Sequence, residues 1–276
     1  MTYCVAVKLD AGLVFLSDSR TNAGLDQIST FRKTMVYERS GDRFITLLSA
    51  GNLSMSQSVR EILQTHGIPG APDQPPINMW NATSMFEVAR VLGDAIRYVY
   101  ERDSDALKAA GVDCNVTMIL GGQVQGEAMR LFQMYAPGNF IEATTDTPFF
   151  QIGESKYGKP VLDRVITPAT SLADAAKCVL VSMDSTLKSN LSVGLPLDMV
   201  IYKAGDLHSH TVLCIDEKNP YFQMLRNCWG DSLRAAFNNL EQPDWSRQPS
   251  EDNPLSSPSN AAMALRKICS PTDKLI

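Results

Sequence analysis

The sequence has 276 residues, a net charge of −5, and 44% hydrophobic against 20% charged residues. This composition supports a full hydrophobic core and excludes a chain that is disordered throughout. The acidic balance provides no basic face, so we expect neither nucleic acid nor a membrane surface as a partner. No stretch approaches the roughly 20 apolar residues of a transmembrane helix, and the amino terminus does not resemble a signal peptide. We therefore expect a cytoplasmic protein whose cysteines are buried, reduced thiols.

Alternating runs rich in β-branched and aromatic residues predict two β-hairpins at the start of the chain. Residues 3–9 and 13–17 flank a turn at 10–12, and residues 34–38 and 44–49 flank a turn at 40–42. Apolar residues at helical spacing then predict helices over 54–64 and 83–102. The four prolines between 67 and 79 predict a loop between these helices.

The second half of the chain repeats this order. Strands are predicted over 114–120 and 128–135, around a glycine-rich turn from Gly121-Gly122 to Gly126, and over 148–152. Helices are predicted from about 157 to 164 and over 172–188, strands over 197–203 and 210–215, and a last helix over 220–240. The glycine-rich turn lacks the G-K-S/T of a phosphate-binding loop.

Strands and helix pairs in this order predict an α+β fold. We assign residues 1–241, including the helix at about 220–240, to one folded domain. Residues 242–276 are rich in proline and serine in their first part and predict an extended tail, with a short helix at AAMALRKI.

The amino terminus carries the elements of a nucleophile–base pair. Methionine is normally removed when a small residue follows, which would leave Thr2 with a free α-amine and no propeptide to cleave. The unperturbed pKa of an α-amine is about 7.7–8.0, so part of it is neutral near neutral pH. A threonine hydroxyl activated by its own α-amine is a recognised catalytic pair.

Three charged residues are placed to support such a site. In the first hairpin, Asp18 and Arg20 return beside the strand that begins at Thr2. Lys33 lies at the entry to the next strand, and a cation near the amine and hydroxyl would lower both of their pKa values. Asp18 would hold Lys33 in place. Taken singly, each residue has an ordinary alternative, such as a surface ion pair or a solvated lysine.

Residues 2–24, TYCVAVKLDAGLVFLSDSRTNAG, resemble the opening of a mature proteasome β subunit without a gap. The segments SDSRTNAG, TFRK, IGESKYGKP and SMDSTLKSNLSVGLPLD are more similar to the bacterial branch called Anbu, the ancestral β-subunit proteins. The resemblance covers about residues 2–215. The helix and tail beyond it look like additions seen in that branch.

This resemblance implies a four-layer α-β-β-α sandwich, the proteasome-subunit fold of the amino-terminal nucleophile hydrolases. It implies Thr2 as nucleophile, Lys33 as the active-site lysine, and Gly51 as the oxyanion-hole donor. It implies a homo-oligomer acting on peptide or protein substrates without a metal or organic cofactor. Ring, spiral and dimer stay open, as does any unfoldase or adaptor partner.

The chain departs from the family pattern in the residues that support the amine. Glu154 occupies the slot of a family serine, with Ser155 beside it. Asp184 matches the family aspartate, but Leu187-Lys188 stand where serine-glycine is expected, and Ser189 or Ser192 could substitute. A catalytically weak structural subunit and a non-peptide amidase are therefore kept as alternatives. A metal at His208 and His210 is disfavoured, because no third ligand is evident nearby.

Overall fold

The computed structural model describes residues 2–22, 28–68 and 75–243. Met1 and the predicted helix AAMALRKI lie outside the described residues, as do most of the predicted 242–276 tail and part of the loop predicted over 67–79. The chain divides into a first compact unit, residues 1–229, and a second, residues 230–276. The predicted domain boundary at 241–242 stays a prediction.

The elements alternate between antiparallel strands and helices. The strands are β1 Tyr3–Leu9, β2 Gly12–Asp18, β3 Arg20–Asn22, β4 Ile28–Thr30, β5 Thr34–Arg39, β6 Arg43–Gly51, β7 Val116–Val124, β8 Arg130–Met134, β9 Phe140–Glu142, β10 Phe149–Gly153, β11 Leu197–Lys203 and β12 Thr211–Ile215. The helices are α1 Leu53–Glu61, continued by a π-helical turn Ile62–His66, α2 Met85–Ala109, α3 Lys159–Val165, α4 Leu172–Ser189 and α5 Pro220–Asn238.

Two five-stranded antiparallel sheets form the centre of the first unit. One has the strand order β10-β1-β2-β11-β12, and the other has the order β5-β6-β7-β8-β9. A separate two-stranded ribbon pairs β3 with β4. In the first hairpin Cys4 lies opposite Ser17, so the end of β2 returns beside the start of β1. This register brings Asp18 next to the residue that follows Thr2.

The hydrophobic core consists of three clusters, each of which lies between two adjacent layers of the fold. Side chains such as Phe15, Phe44 and Ile119 fill the space between the two sheets. A second cluster joins α1 and α2 to the outer face of the β5–β9 sheet. A third joins α3, α4 and the start of α5 to the outer face of the other sheet. The predicted four-layer α-β-β-α sandwich is therefore confirmed.

The structure corrects the predicted glycine-rich turn. Gly121 and Gly122 lie inside β7, and only Gly126 belongs to the turn that follows. A Cβ atom at Gly121 would lie 2.6 Å from the ring of Phe15 on the opposite sheet. The glycine therefore makes room for close packing between the sheets. The strands β3, β4 and β9 were not predicted, and α2 extends to Ala109 beyond its predicted end.

In the second unit, the described residues 230–243 comprise the end of α5 and the short segment after it. Its apolar side chains Leu233, Phe237 and Leu240 are exposed to solvent. Among the residues described, no helix combines the length and apolar character needed to cross a bilayer.

Candidate active site

Thr2 lies immediately before β1, at a cavity of about 330 Å³. The lining comprises Thr2, Thr21, Lys33, Ser49, Ala50, Gly51, Leu53, Ser56 and Gly153. The Glu154 N–H donates a 2.7 Å hydrogen bond to the Thr2 carbonyl oxygen. Gly153 has φ of +80°, and a Cβ atom there would lie 1.9 Å from that same oxygen. A glycine at this position therefore allows the backbone after β10 to approach Thr2 closely.

A buried ion pair lies beside Thr2. The Lys33 ammonium donates to Asp18 Oδ1 at 2.7 Å and to the Arg20 carbonyl oxygen at 2.6 Å. The Asp18 side chain has no solvent exposure and that of Lys33 is 7% exposed. Lys33 also lines the cavity, so its charge acts in the space that Thr2 faces. An uncompensated charge here would be costly, and each of the two groups neutralises the other.

The Asp18 carboxylate is also tied to the backbone. The Tyr3 N–H donates to Oδ1 at 3.0 Å, and the Gly194 N–H donates to Oδ2 at 3.4 Å. Burial raises the pKa of Asp18, whereas the Lys33 charge and these donors oppose that rise. The carboxylate thus joins the first residue of β1 to Lys33 and to the segment after α4.

Cys4, which the hairpin places near the nucleophile, is unsuited to replace it. Its side chain is completely buried, and burial raises the pKa of its thiol. A neutral thiol is a weak nucleophile. Its sulfur instead contacts the Ser49 carbonyl oxygen at 3.7 Å. Cys4 therefore fills space between the sheets. The expectation that the cysteines are buried is wrong for Cys214 and Cys228, which are exposed.

Arg20 lies over the segment that follows α4. Its Nη1 donates to the Leu191 carbonyl oxygen at 3.2 Å. A Cβ atom at Gly194 would lie 2.1 Å from Arg20 Nε, so the guanidinium packs directly against the backbone there. The Arg20 carbonyl oxygen meanwhile accepts from Lys33. Arg20 thus connects the start of β3 to the segment that follows α4.

Gly51 lies at the end of β6 on the wall of the cavity. The Asn52 N–H donates to the Asn115 carbonyl oxygen on one side of the strand. The Ser49 N–H donates to the Lys33 carbonyl oxygen on the other side. N–H groups alternate in direction along a strand, so the Gly51 N–H is directed to the same side as that of Ser49. Gly51 has φ of +101°, and a Cβ atom there would lie 2.2 Å from the Asn115 carbonyl oxygen.

Of the four residues considered as supports for the amine, Ser155 and Ser192 lie close to Glu154, whose N–H contacts Thr2, although neither lines the cavity. Glu154, whose side chain is buried, accepts a 3.0 Å hydrogen bond from the Asn190 side chain. Asn190 Oδ1 accepts from the backbone and the hydroxyl of Ser192, at 3.0 and 2.9 Å. Ser155 follows Glu154, and its carbonyl oxygen accepts from Gln151 at 3.2 Å.

The other two residues considered as supports for the amine, Asp184 and Ser189, also lie outside this cavity. Asp184 accepts from Arg226 Nε at 2.8 Å and lines a separate pocket with Lys188. Ser189 is exposed at the end of α4. Neither side chain is among those that line the cavity beside Thr2.

Several residues in and around the site were not predicted. Thr21, Ser49 and Ser56 add hydroxyl groups to the cavity lining. Asn190 fixes the Glu154 carboxylate, although the two residues are 36 positions apart. No local sequence pattern marks a long-range contact between an asparagine and a glutamate, so sequence reasoning had no signal for it.

Within the described residues, no group of three or more His, Cys, Asp or Glu side chains is placed to hold a metal ion. His208 and His210 are exposed, and a ring nitrogen of His208 lies 2.7 Å from the Asp206 carbonyl oxygen.

Comparison with known proteins supports the fold described above. No family model matches the sequence, and no curated protein matches it. Solved structures do match. The structure of Anbu (ancestral beta-subunit) from Yersinia bercovieri is 50% identical, with a TM-score of 0.81, covering 89% of this chain and 100% of that one.

Two further solved structures agree with the first. An Anbu (Gly-1) mutant from Hyphomicrobium sp. strain MC1 is 45% identical, with a TM-score of 0.81, covering 88% of this chain and 100% of that one. A structure described as the helical assembly of the Anbu complex from Pseudomonas aeruginosa is 43% identical, with a TM-score of 0.81, covering 89% of this chain and 99% of that one.

The fold is therefore that of a proteasome-like β subunit. At this identity and coverage, the chain belongs to the Anbu (ancestral β-subunit) family. The predicted family resemblance is confirmed.

Proposed function

We propose that this protein is a threonine hydrolase that cleaves peptide bonds with Thr2 as its amino-terminal nucleophile, once Met1 has been removed. The observation that carries the proposal is the buried Lys33–Asp18 pair, which lies 2.7 Å apart beside a cavity that Thr2 and Lys33 both line. A fixed cation at a threonine that can expose a free amine is an arrangement suited to activating a hydroxyl.

In the acylation step, Thr2 Oγ attacks the substrate carbonyl carbon while its proton passes to the Thr2 α-amine. The Lys33 charge lowers the pKa of the amine, so that a larger fraction is neutral and able to accept this proton. The carbonyl oxygen becomes an oxyanion, which the Gly51 N–H stabilises. The tetrahedral intermediate then collapses to an ester on Thr2, and the leaving amine takes the proton from the α-ammonium.

In the second step, water attacks the ester carbonyl carbon, and the α-amine accepts the proton of that water. Collapse of the second tetrahedral intermediate releases the carboxylic acid and returns the proton to Thr2 Oγ. Asp18 holds Lys33, and Arg20 holds the segment that supplies the Gly194 N–H to Asp18. Every proton is transferred between Thr2, substrate and water, so the proposed reaction requires no metal or organic cofactor.

Self-assembly forms part of the proposal. A relative from Pseudomonas aeruginosa is described as a helical assembly, and it covers 89% of this chain. We therefore propose that this protein acts as a homo-oligomer in the cytoplasm, on peptide or protein substrates. Light scattering of the purified protein tests this, because a monomer mass would contradict it.

One observation favours a different function, that of a structural subunit with little catalysis. Glu154 stands where the family resemblance leads us to expect a serine, and its buried carboxylate is committed to Asn190. The group that would support the amine is thus altered. The third candidate function is a non-peptide amidase, since the same nucleophile chemistry can cleave peptide bonds and other amides.

A panel of substrates separates these functions. Wild type, Thr2→Ala and Thr2→Ser are compared on fluorogenic peptides and on single-residue amides. Thr211→Ala is the control, because Thr211 is a half-buried threonine on β12 and does not line the cavity. We expect peptide cleavage by wild type, Thr2→Ser and Thr211→Ala, and none by Thr2→Ala. Equal inactivity of all four supports the structural subunit, and cleavage of amides alone supports the amidase.

A further inference from the structure

A buried polar network surrounds the side chain of Tyr3, the residue that follows Thr2. The Tyr3 side chain has no solvent exposure. Its hydroxyl lies 2.6 Å from Ser182 Oγ on α4 and accepts a 2.6 Å hydrogen bond from Gln151 Nε2 on β10. The residue next to the proposed nucleophile therefore joins three elements of the fold through one oxygen atom.

Gln151 extends this network to the backbone that touches Thr2. Its Nε2 also donates to the Ser155 carbonyl oxygen at 3.2 Å. A carbonyl oxygen can only accept, so the amide nitrogen must face both Ser155 and Tyr3. Gln151 thus spans the turn from 151 to 155, inside which Gly153 adopts φ of +80°.

This turn presents the Glu154 N–H to the Thr2 carbonyl oxygen at 2.7 Å. We propose that the Tyr3 hydroxyl and the Gln151 amide are positioning groups for Thr2, because they hold the 153–155 turn and thereby keep the Glu154 N–H on the Thr2 carbonyl. The expected effect on the reactivity of Thr2 rests on the proposed function. The expected effect on the 153–155 turn does not, since it concerns only the hydrogen bond from the Glu154 N–H to the Thr2 carbonyl oxygen.

Packing around the network leaves little freedom for other arrangements. A Cβ atom at Gly158 would lie 2.2 Å from Ser182 Oγ and 2.7 Å from the Tyr3 hydroxyl, so the network fits tightly against the α3 end of this segment. Burial also raises the pKa of Tyr3, which keeps its hydroxyl protonated and able to donate to Ser182. Removing the hydroxyl takes from Ser182 Oγ and Gln151 Nε2 the partner that they share, and it leaves Gln151 Nε2 with its longer hydrogen bond to the Ser155 carbonyl oxygen.

A second tyrosine–glutamine pair provides a matched control. The side chain of Tyr202 on β11 is also fully buried, and its hydroxyl donates to Gln123 Oε1 on β7. Neither Tyr202 nor Gln123 contributes to the cavity beside Thr2. Tyr202→Phe therefore removes a buried hydroxyl of the same kind, in the same fold, without touching the 153–155 turn.

The test compares wild type, Tyr3→Phe and Tyr202→Phe by two measurements on the full chain. Hydrogen exchange read by mass spectrometry reports protection of the Glu154 amide. Reaction with a β-lactone reports kinact and KI of Thr2. For Tyr3→Phe we expect about a tenfold loss of protection at Glu154 and about a tenfold lower kinact, with KI changed less than about twofold. Tyr202→Phe should match wild type in both. Gln151→Leu, with Gln123→Leu as its control, replaces this pair if Tyr3→Phe does not fold.

Equal protection of the Glu154 amide in wild type and Tyr3→Phe overturns the proposal, and so does an equal loss in Tyr202→Phe. Unchanged kinact in Tyr3→Phe, despite lost protection, overturns the catalytic part and leaves the proposed function intact. If wild type itself does not react with the lactone, the proposed function fails, and the exchange measurement still decides whether Tyr3 and Gln151 hold the turn.

Discussion

Removal of the Lys33 ammonium should leave the Asp18 carboxylate charged and unpaired inside the protein. The carboxylate has no solvent exposure, and in Lys33→Met its remaining described donors are the backbone N–H groups of Tyr3 and Gly194, at 3.0 and 3.4 Å. Breaking a buried ion pair by removing one partner costs about 3–5 kcal/mol. That is a large part of the roughly 5–15 kcal/mol that stabilises a typical domain.

The cost should depend on pH in a defined direction. Burial already raises the pKa of Asp18, and the Lys33 charge opposes that rise. Without Lys33 the folded-state pKa moves further above the unfolded value of about 3.9. The folded variant then binds more protons than the unfolded chain, so its stability falls as pH rises from about 4 through the folded-state pKa. The deficit relative to wild type should therefore be smallest in acid and largest near neutral pH.

Urea denaturation at several pH values, followed by circular dichroism, measures this deficit. Asp18→Asn/Lys33→Met should recover part of the loss, because it removes both charges. Arg130→Met is the control, since the Arg130–Glu142 pair is only partly buried and should contribute about 0–1 kcal/mol. A Lys33→Met variant within about 1 kcal/mol of wild type at every pH would show that the buried pair does not stabilise the fold as expected.

Two further predictions concern the cavity wall and the thiols. Gly51→Ala should lower the rate of β-lactone labelling by at least about tenfold, because its Cβ atom would lie 2.2 Å from the Asn115 carbonyl oxygen and disturb the proposed oxyanion donor. Gly41→Ala is the control: Gly41 has φ of +76° in open space, so this variant should lose about 1–3 kcal/mol of stability to backbone strain but keep its labelling rate. Equal labelling rates in both variants would contradict the proposed role of Gly51 as oxyanion donor. Iodoacetamide at neutral pH should alkylate the exposed Cys214 and spare Cys4, whose burial raises its thiol pKa; peptide mass spectrometry would contradict this by finding Cys4 modified in folded protein.

The first hairpin could be predicted in detail because its determinants are local. Alternating residues on both sides of a turn at 10–12 fix the register that places Cys4 opposite Ser17. The return of Asp18 beside the start of β1 follows from that register. The approach of Lys33 could be expected only from the family resemblance, since the segment between Arg20 and Lys33 has no pattern that fixes its path.

Long-range contacts account for the parts that the sequence did not predict. Gly121 suggested a turn, because nothing near it shows that Phe15 of the other sheet needs its space. Asp184 fits the family spacing, but Arg226 of α5 binds it away from the Thr2 cavity. The Glu154–Asn190 hydrogen bond likewise depends on how β10 and α4 pack, which no local pattern encodes.

The role of Thr2 as nucleophile is tested by the mass of the intact protein after treatment with a β-lactone at about pH 7.5, where the α-amine is partly neutral. The lactone ring opens on attack by Thr2 Oγ, so the adduct keeps the full mass of the reagent. We expect a chain without Met1 that carries one adduct, located by peptide mapping on Thr2 and absent from Thr2→Ala. A chain that retains Met1 and gains no adduct would contradict it.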